Sequence, residues 1–309
     1  MARMTWTDVP EHVRELIADR LGSPVIGAAS QASGFSPGSA DRLLLADGRR
    51  VFVKAISAAV NPDSIHIDRR EARVLRLLPT GLPLARLIDV VDTGDWVALI
   101  LEDVDGHHPT WADGQVETVL DAVGQVSRAT VPAGEFTPLT DSLADDFAGW
   151  LNLSADDALP YDADTNVWVA HHLDMLTEQA AEGLRRCSGT VLVHGDLRAD
   201  NVLLRKDDGQ PVLLDWPWAQ VGSAWFDPVS LLVNVLLLRP GFDIDETLAT
   251  HPVFAGMPDG TAECLFAGLA SYFTFNAIQP PPPGISGLRS FQRDQGAVIL
   301  AWLRHRLED

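Results

Sequence analysis

The chain contains His194-Gly195-Asp196-Leu197-Arg198-Ala199-Asp200-Asn201-Val202-Leu203-Leu204 and, after a turn, Leu213-Leu214-Asp215-Trp216. The pattern is H-x-D-x-x-x-x-N, then an apolar strand that ends in Asp. Residues 190–193 are a short β-branched run that delivers Asp196 to a strand-to-loop junction. Asn201 opens the next strand, 202–204. Asp207-Asp208-Gly209 is a turn signal, and 212–214 returns to place Asp215 beside Asn201. Phosphoryl transfer from a nucleotide needs such a set. One carboxylate, Asp196, accepts or orients the proton of an attacking hydroxyl. An amide oxygen, on Asn201, and a second carboxylate, Asp215, hold magnesium against the phosphates. The plainer alternative is a surface hairpin with incidental acids, since a lone H-x-D and an Asp-Gly turn are both common.

With 309 residues, the chain can bury a large core, in one big domain or two lobes. Hydrophobic content of 46% and a mean hydropathy of +0.05 read as soluble and globular. No apolar stretch behind basic residues marks a secretory leader, and no run of eighteen or more apolar residues marks a membrane span. Cys187 and Cys264 follow no metal spacing and read as two reduced thiols, so a cytoplasmic protein is expected. A net charge of −20 speaks against a nucleic-acid partner, which demands a basic face. It allows a cationic substrate or plain solubility.

Lys54 and Lys206 are the only lysines; arginine supplies the other cations. A compact ammonium at 54 is not interchangeable with a guanidinium at a tight phosphate site. Lys54 lies inside the apolar strand Val51-Phe52-Val53-Lys54-Ala55-Ile56. It is either an edge-strand lysine reaching solvent or the lysine that pairs with the α/β-phosphates of a nucleotide. Downstream, 63–78 reads as a helix with Ile67, Val74 and Leu78 on one face. Glu71 shares that face. A carboxylate there needs a partner, because burying it alone is costly. Lys54 is the candidate, with Arg70 or Arg73 as local alternatives.

Upstream of Lys54, 7–21 reads as an amphipathic helix with Pro10 in its first turn, and 25–29, 43–45 and 51–56 read as antiparallel strands. Ser33-Gly34-Phe35-Ser36-Pro37-Gly38-Ser39 is a small-residue loop between the first two. Ser33, Gly34, Gly38 and Ser39 could let backbone N–H groups approach phosphates. It is not a G-x-G-x-x-G, Pro37 removes one donor, and an ordinary loop is the alternative. Strands at 87–91 and 96–101 follow. Beyond Gly106 the pattern is helical over 115–130, 141–153, 165–186, 227–238, 263–278 and 287–307, interrupted by the hairpin. No repeat is evident, and the proline run 280–283 reads as a connector. The order implies an α+β protein of two lobes with the site in the cleft.

The segment 190–230 resembles the phosphate-handling core of the aminoglycoside phosphotransferase family, a small-molecule branch of the protein-kinase-like fold. Weaker correspondence extends over nearly the whole chain. The resemblance implies a bilobal protein-kinase-like fold: an antiparallel-sheet N-lobe, 1–103, and a mostly helical C-lobe, 104–309. It makes Glu102-Asp103-Val104 the connector, whose backbone at Glu102 and Val104 would read the adenine edge. It implies Mg2+ held by Asn201 and Asp215, ATP or GTP as co-substrate, and Asp196 as the catalytic carboxylate. Asp227 matches the family's downstream aspartate that stabilises the catalytic loop, and it could equally be a helix N-cap. Two positions depart from the family pattern. Arg198 stands where many members have histidine, and Pro217 stands where relatives often have an acid. His194 reads as structural.

The acceptor is expected to be small. Asp215 is followed almost at once by Asp227 and an apolar helix, without an A-P-E element or room for a protein-docking segment. The expected activity is a phosphotransferase acting on a hydroxyl of a small molecule, an aminoglycoside-like antibiotic among them. A metabolic kinase of an amino sugar, sugar or amino alcohol is the same chemistry with another pocket. A non-catalytic nucleotide-binding module of the same fold is the rival class. In antibiotic kinases of the family an acidic pocket holds the amines of the drug. Asp145 and Asp146, Asp156 and Asp157, Asp162 and Asp164, and Asp174 and Glu178 are acidic pairs, each of which could instead be a solvated helix face. His107-His108 and His171-His172 have no partner at zinc spacing. No protein, nucleic-acid or membrane partner is evident.

Overall fold

A computed structural model describes residues 4–31, 37–112, 114–154, 158–281 and 287–308. The chain divides into two compact units. The first is Met1–His108 with Asp200–Trp218, and the second is Pro109–Ala199 with Ala219–Asp309.

The first unit is built on a five-stranded antiparallel sheet of order β1-β2-β3-β5-β4. The helix expected over 7–21 is split. A 3-10 turn at Trp6–Asp8 is closed by the Thr5–Asp8 capping box, and α1 runs Glu11–Leu21. Pro10 is extended and precedes the helix instead of sitting in its first turn. β1 (Val25–Ser30), β2 (Ser39–Leu45) and β3 (Arg50–Ser57) follow. β2 starts four residues before the apolar run at 43, and Ser39 pairs with Ala55. The early half of β2 was hidden because its buried residues are partly polar. Asp41, fully buried, accepts hydrogen bonds from the Trp6 backbone and the Ser30 hydroxyl.

α2 (Pro62–Leu77) starts where Asn61 caps it, accepting from the backbone N–H groups of Asp63 and Ser64, with Pro62 in the first position. β4 (Leu87–Asp92) and β5 (Trp96–Glu102) complete the sheet. Val51, Val53 and Ala55 face a core shared with Val13, Ile17 and Leu21 of α1. Side chains alternate along a strand, so Lys54 points to the opposite face, where α2 packs on β3 and β5. β6 is only Gly106–His107.

The second unit begins with α3 (Gln115–Ser127), α4 (Leu139–Phe147) and α5 (Ala163–Arg186), then β7 (Val191–Val193). The helix expected over 141–153 breaks after Phe147 into a 3-10 turn, Gly149–Asn152. There the Trp150 backbone N–H donates to Ser271 Oγ at 2.9 Å. The chain next supplies β8 (Val202–Arg205) and β9 (Pro211–Leu213) to the first unit. β6, β8 and β9 form a separate antiparallel sheet, with Gly106 opposite Arg205 and Val202 opposite Leu213. Back in the second unit, β10 (Gln220–Gly222) pairs with β7. α6 (Phe226–Leu238), α7 (Ile244–Thr250), α8 (Thr261–Ala277) and α9 (Leu288–Glu308) follow. α5 and α8 pack with their backbones in contact. A Cβ at Gly183 would stand 2.3 Å from the Cys264 carbonyl oxygen. Both cysteines are buried free thiols. Among the described residues, no helix is long and apolar enough to cross a membrane.

Candidate active site

In the first unit, α2 and β3 bring Lys54 to Glu71 as the helix pattern suggests. The Lys54 ammonium donates to both Glu71 carboxylate oxygens at 3.0 Å. It also donates to Asp215 Oδ1. Glu71 is 2% exposed, whereas the Asp215 side chain is 45% exposed and open to a ligand. Burial acts to lower the Lys54 pKa, but Asp215 and Glu71 outweigh it and hold the ammonium well above its ordinary value. Burial pushes Glu71 up against the pull of Lys54.

Asp215 follows β9 with a positive φ of 67°. A non-glycine residue in the left-handed region is uncommon outside turns and functional sites, and Asp tolerates it better than most. The neighbouring backbone is tied down. The Leu214 N–H donates to the Asn201 carbonyl at 2.8 Å, the Trp216 N–H to Glu71 at 3.4 Å, and the Trp216 indole to the Leu213 carbonyl at 3.1 Å. Asn201 is buried and lies in a 3-10 turn, Ala199–Asn201, one residue ahead of β8. An amide oxygen and a carboxylate are hard donors that suit Mg2+, which takes one or two protein oxygens and completes its shell with phosphate and water. Among the described residues, no cluster of three His, Cys, Asp or Glu side chains could hold a metal alone.

In the second unit, Asp196 lies on a loop shaped by backbone hydrogen bonds. Asp227 accepts from the N–H groups of His194 (2.5 Å) and Gly195 (3.0 Å). Asp227 is in the first turn of α6, and Trp225 is the cap residue, so the N-cap alternative for Asp227 does not hold. His194 is fully buried, and its Nδ1 accepts from the Asp196 N–H at 3.3 Å, a structural arrangement. Asn234 on α6 accepts from the Ala199 N–H at 2.9 Å and the Trp111 indole at 3.1 Å. Asp196 itself is ion-paired with Arg198 at 2.9 Å.

The other expected nucleotide contacts divide. Ser33 and Gly34 lie outside the described residues. Ser39 is the first residue of β2, and Gly38 is the bend residue just before it. A Cβ at Gly38 would stand 2.6 Å from the Ala55 carbonyl oxygen, so this glycine serves strand approach. Ser39 is 2% exposed. Glu102 is the last residue of β5, not beyond it, and its carboxylate pairs with Arg205 and Arg86. The Val104 carbonyl accepts from Arg42 at 3.0 Å.

The sequence marks Arg198 only as a departure from the family pattern and does not single out Asn234 or Asp68. Burial and then Glu71 push Asp68 up to about 7, against the pull of Lys54. It lies three residues before Glu71 on the same face of α2, a spacing from which it could have been found. Of the acidic pairs, Asp174 and Glu178 are exposed, Asp162 caps α5 through Thr165, and Asp156 and Asp157 lie outside the described residues. Asp146 is half-buried, and burial, then Asp145, raise it to about 6. Burial raises the Tyr272 pKa, and Asp146 and Asp196 add to the rise.

A family model described as the phosphotransferase enzyme family matches residues 33–257. Among solved structures, the chain is similar to LicA in complex with AMP, with 14% identity and a TM-score of 0.58, covering 95% of this chain and 100% of that one. It is similar to an ethanolamine kinase of Plasmodium vivax, with 13% identity and a TM-score of 0.55, covering 96% and 84%. It is also similar to amicoumacin kinase hAmiN in complex with AMP-PNP, Ca2+ and Ami, with 12% identity and a TM-score of 0.53, covering 93% of each chain. At these identities the likeness is one of fold. No curated protein matches the chain.

Proposed function

The chain belongs to the phosphotransferase enzyme family, and from that premise we propose that it moves the γ-phosphate of ATP or GTP to a hydroxyl of a small, amine-bearing molecule. The observation that carries the reading is the Lys54 ammonium shared by Glu71 and the exposed Asp215. Glu71 fixes the stem of the lysine, and Asp215 is a partner that a metal–phosphate group can replace. In the proposed roles, Lys54 neutralises nucleotide phosphate charge, and Asn201 and Asp215 supply protein oxygens to Mg2+. The cation, when bound, offsets charge on the β- and γ-phosphates. Asp196 accepts or orients the proton of the acceptor hydroxyl. General-base help of this kind is worth about 10²–10⁴-fold, and positioning and charge stabilisation account for the rest. The backbone of Glu102 and Val104 is the proposed adenine edge.

A small acceptor is supported by the short path from Asp215 through β10 to α6, which leaves no long segment for docking a protein. An amine is supported by the net charge of −20 and by the adjacent acids Asp145 and Asp146 on α4. Aminoglycoside-like antibiotics, amino sugars and amino alcohols meet both conditions. The test is a panel of these compounds with ATP and GTP, read by mass spectrometry for an added phosphate. Transfer to at least one compound is expected, together with its loss in Asp196→Asn while nucleotide binding persists. Nucleotide binding without transfer to any hydroxyl would instead identify a non-catalytic binding module.

A further inference from the structure

Arg198 has no part in the roles above, yet its side chain is ion-paired with Asp196. Its Nη1 donates to Asp196 Oδ1 at 2.9 Å, with the two side chains 19% and 29% exposed. On its other side, the Arg198 guanidinium carbon lies 5.7 Å from the centroid of the Phe291 ring, in the first turn of α9. That turn is fastened to α8. Arg289 donates to Asn276 Oδ1 at 3.1 Å and to Gln292 Oε1 at 2.8 Å, and Gln292 donates to the Tyr272 hydroxyl at 3.4 Å. A line of contacts thus runs from α8 through the start of α9 to Arg198 and ends on the Asp196 carboxylate, all within the second unit.

A partly exposed ion pair between residues two apart on a loop adds little to folding. What it supplies is orientation. A planar guanidinium lying against an aromatic ring has few remaining rotamers, and its fork holds a carboxylate in a fixed direction. We propose that Arg198 is a positioning residue, set by Phe291, that holds the Asp196 carboxylate in the one rotamer that meets the acceptor hydroxyl. The proposal rests on the reading of Asp196 as the group that orients that hydroxyl. It gives the C-terminal helix a part in turnover without contact with the reacting atoms.

The test compares wild type with Arg198→Met, Arg198→Lys, Phe291→Leu and the Arg198→Met/Phe291→Leu double variant on an acceptor found in the panel. Misplacement of the carboxylate in Arg198→Met lowers kcat roughly 10- to 100-fold, with nucleotide KM within about twofold of wild type. Arg198→Lys recovers part of the loss, because it keeps the charge and gives up the planar stack. Phe291→Leu lowers kcat about two- to fivefold, the size of one such contact. The double variant is no worse than Arg198→Met, since Phe291 acts through Arg198. Full kcat in Arg198→Met, a loss confined to acceptor KM, or losses that multiply in the double variant overturns the proposal. A crystal structure of Arg198→Met with Asp196 in one unchanged rotamer overturns it without reference to turnover. If Arg198→Met does not fold, Arg198→Lys and Phe291→Leu decide by the same split of kcat against KM. Wild type that transfers phosphate to nothing removes the phosphotransferase reading and this proposal together. Loss of turnover in Asp196→Asn with none in Arg198→Met removes this proposal alone.

Discussion

The surroundings of Lys54 and the loop that carries Asp196 are built by opposite means. Around Lys54 the partners are charged side chains: Glu71 and Asp215 share one ammonium, and Asp68 adds a third carboxylate nearby. Around the loop the partners are backbone groups: Asp227 binds two consecutive N–H groups, and Asn234 binds a third. An ion pair to an exposed carboxylate can be exchanged for a ligand's charge at small net cost. A backbone N–H held by a buried acceptor cannot, because an abandoned donor costs its full desolvation. One arrangement suits a place where a ligand takes over partners, and the other suits a place whose shape must persist.

The strongest way to break this contrast is Lys54→Met. It leaves the buried Glu71 without its cation, and unfolding by urea is expected to show a loss of about 3–5 kcal/mol. Nucleotide affinity, measured by calorimetry, falls with it. Asp227→Ala deprives two N–H groups of their acceptor. An expected loss of about 2–6 kcal/mol in urea follows from roughly 1–3 kcal/mol for each group. Its turnover collapses while nucleotide affinity stays near wild type, which separates the two regions. Asn234→Ala, which removes the neutral acceptor of the Ala199 N–H and the Trp111 indole, costs about 2–4 kcal/mol by the same measurement, less than loss of a charged acceptor. The last effect has the opposite sign. The folded-state pKa of Asp68 lies above that of an unfolded carboxylate, at about 7. Between about pH 4 and 7 the folded protein holds the extra proton, so stability declines as pH rises through that window and levels off above it. Asp68→Asn removes the decline and stabilises the protein at pH 8, seen as a flatter plot of urea midpoint against pH.

Much of the Lys54 side was legible because it follows from periodicity. A strand of period two and a helix face of period 3.6 put Lys54 and Glu71 on facing surfaces. The hairpin was legible from its turn residues, and the Leu214–Asn201 hydrogen bond is the pairing they imply. The positive φ of Asp215 was not, because no neighbour in sequence demands it. Arg198 was hard to read for another reason: its partners are a residue on its own loop and a ring far along the chain, and neither leaves a periodic trace. β6 and β10 have two and three residues, too few for any alternation to show. Ser39 reads as loop in the sequence because the buried start of β2 carries serine and aspartate where a strand pattern has apolar side chains.

The first unit takes in residues 200–218 as well as the first 108. During synthesis, Lys54 and Glu71 leave the ribosome long before Asp215 exists, and β6 waits for β8 to be translated. The N-terminal portion cannot finish folding while it is being made, and a fragment cut after His108 would lack Asn201, Asp215 and the strands that present them. The natural way to dissect this protein is therefore by circular permutation or by complementation with a 200–218 peptide, not by truncation.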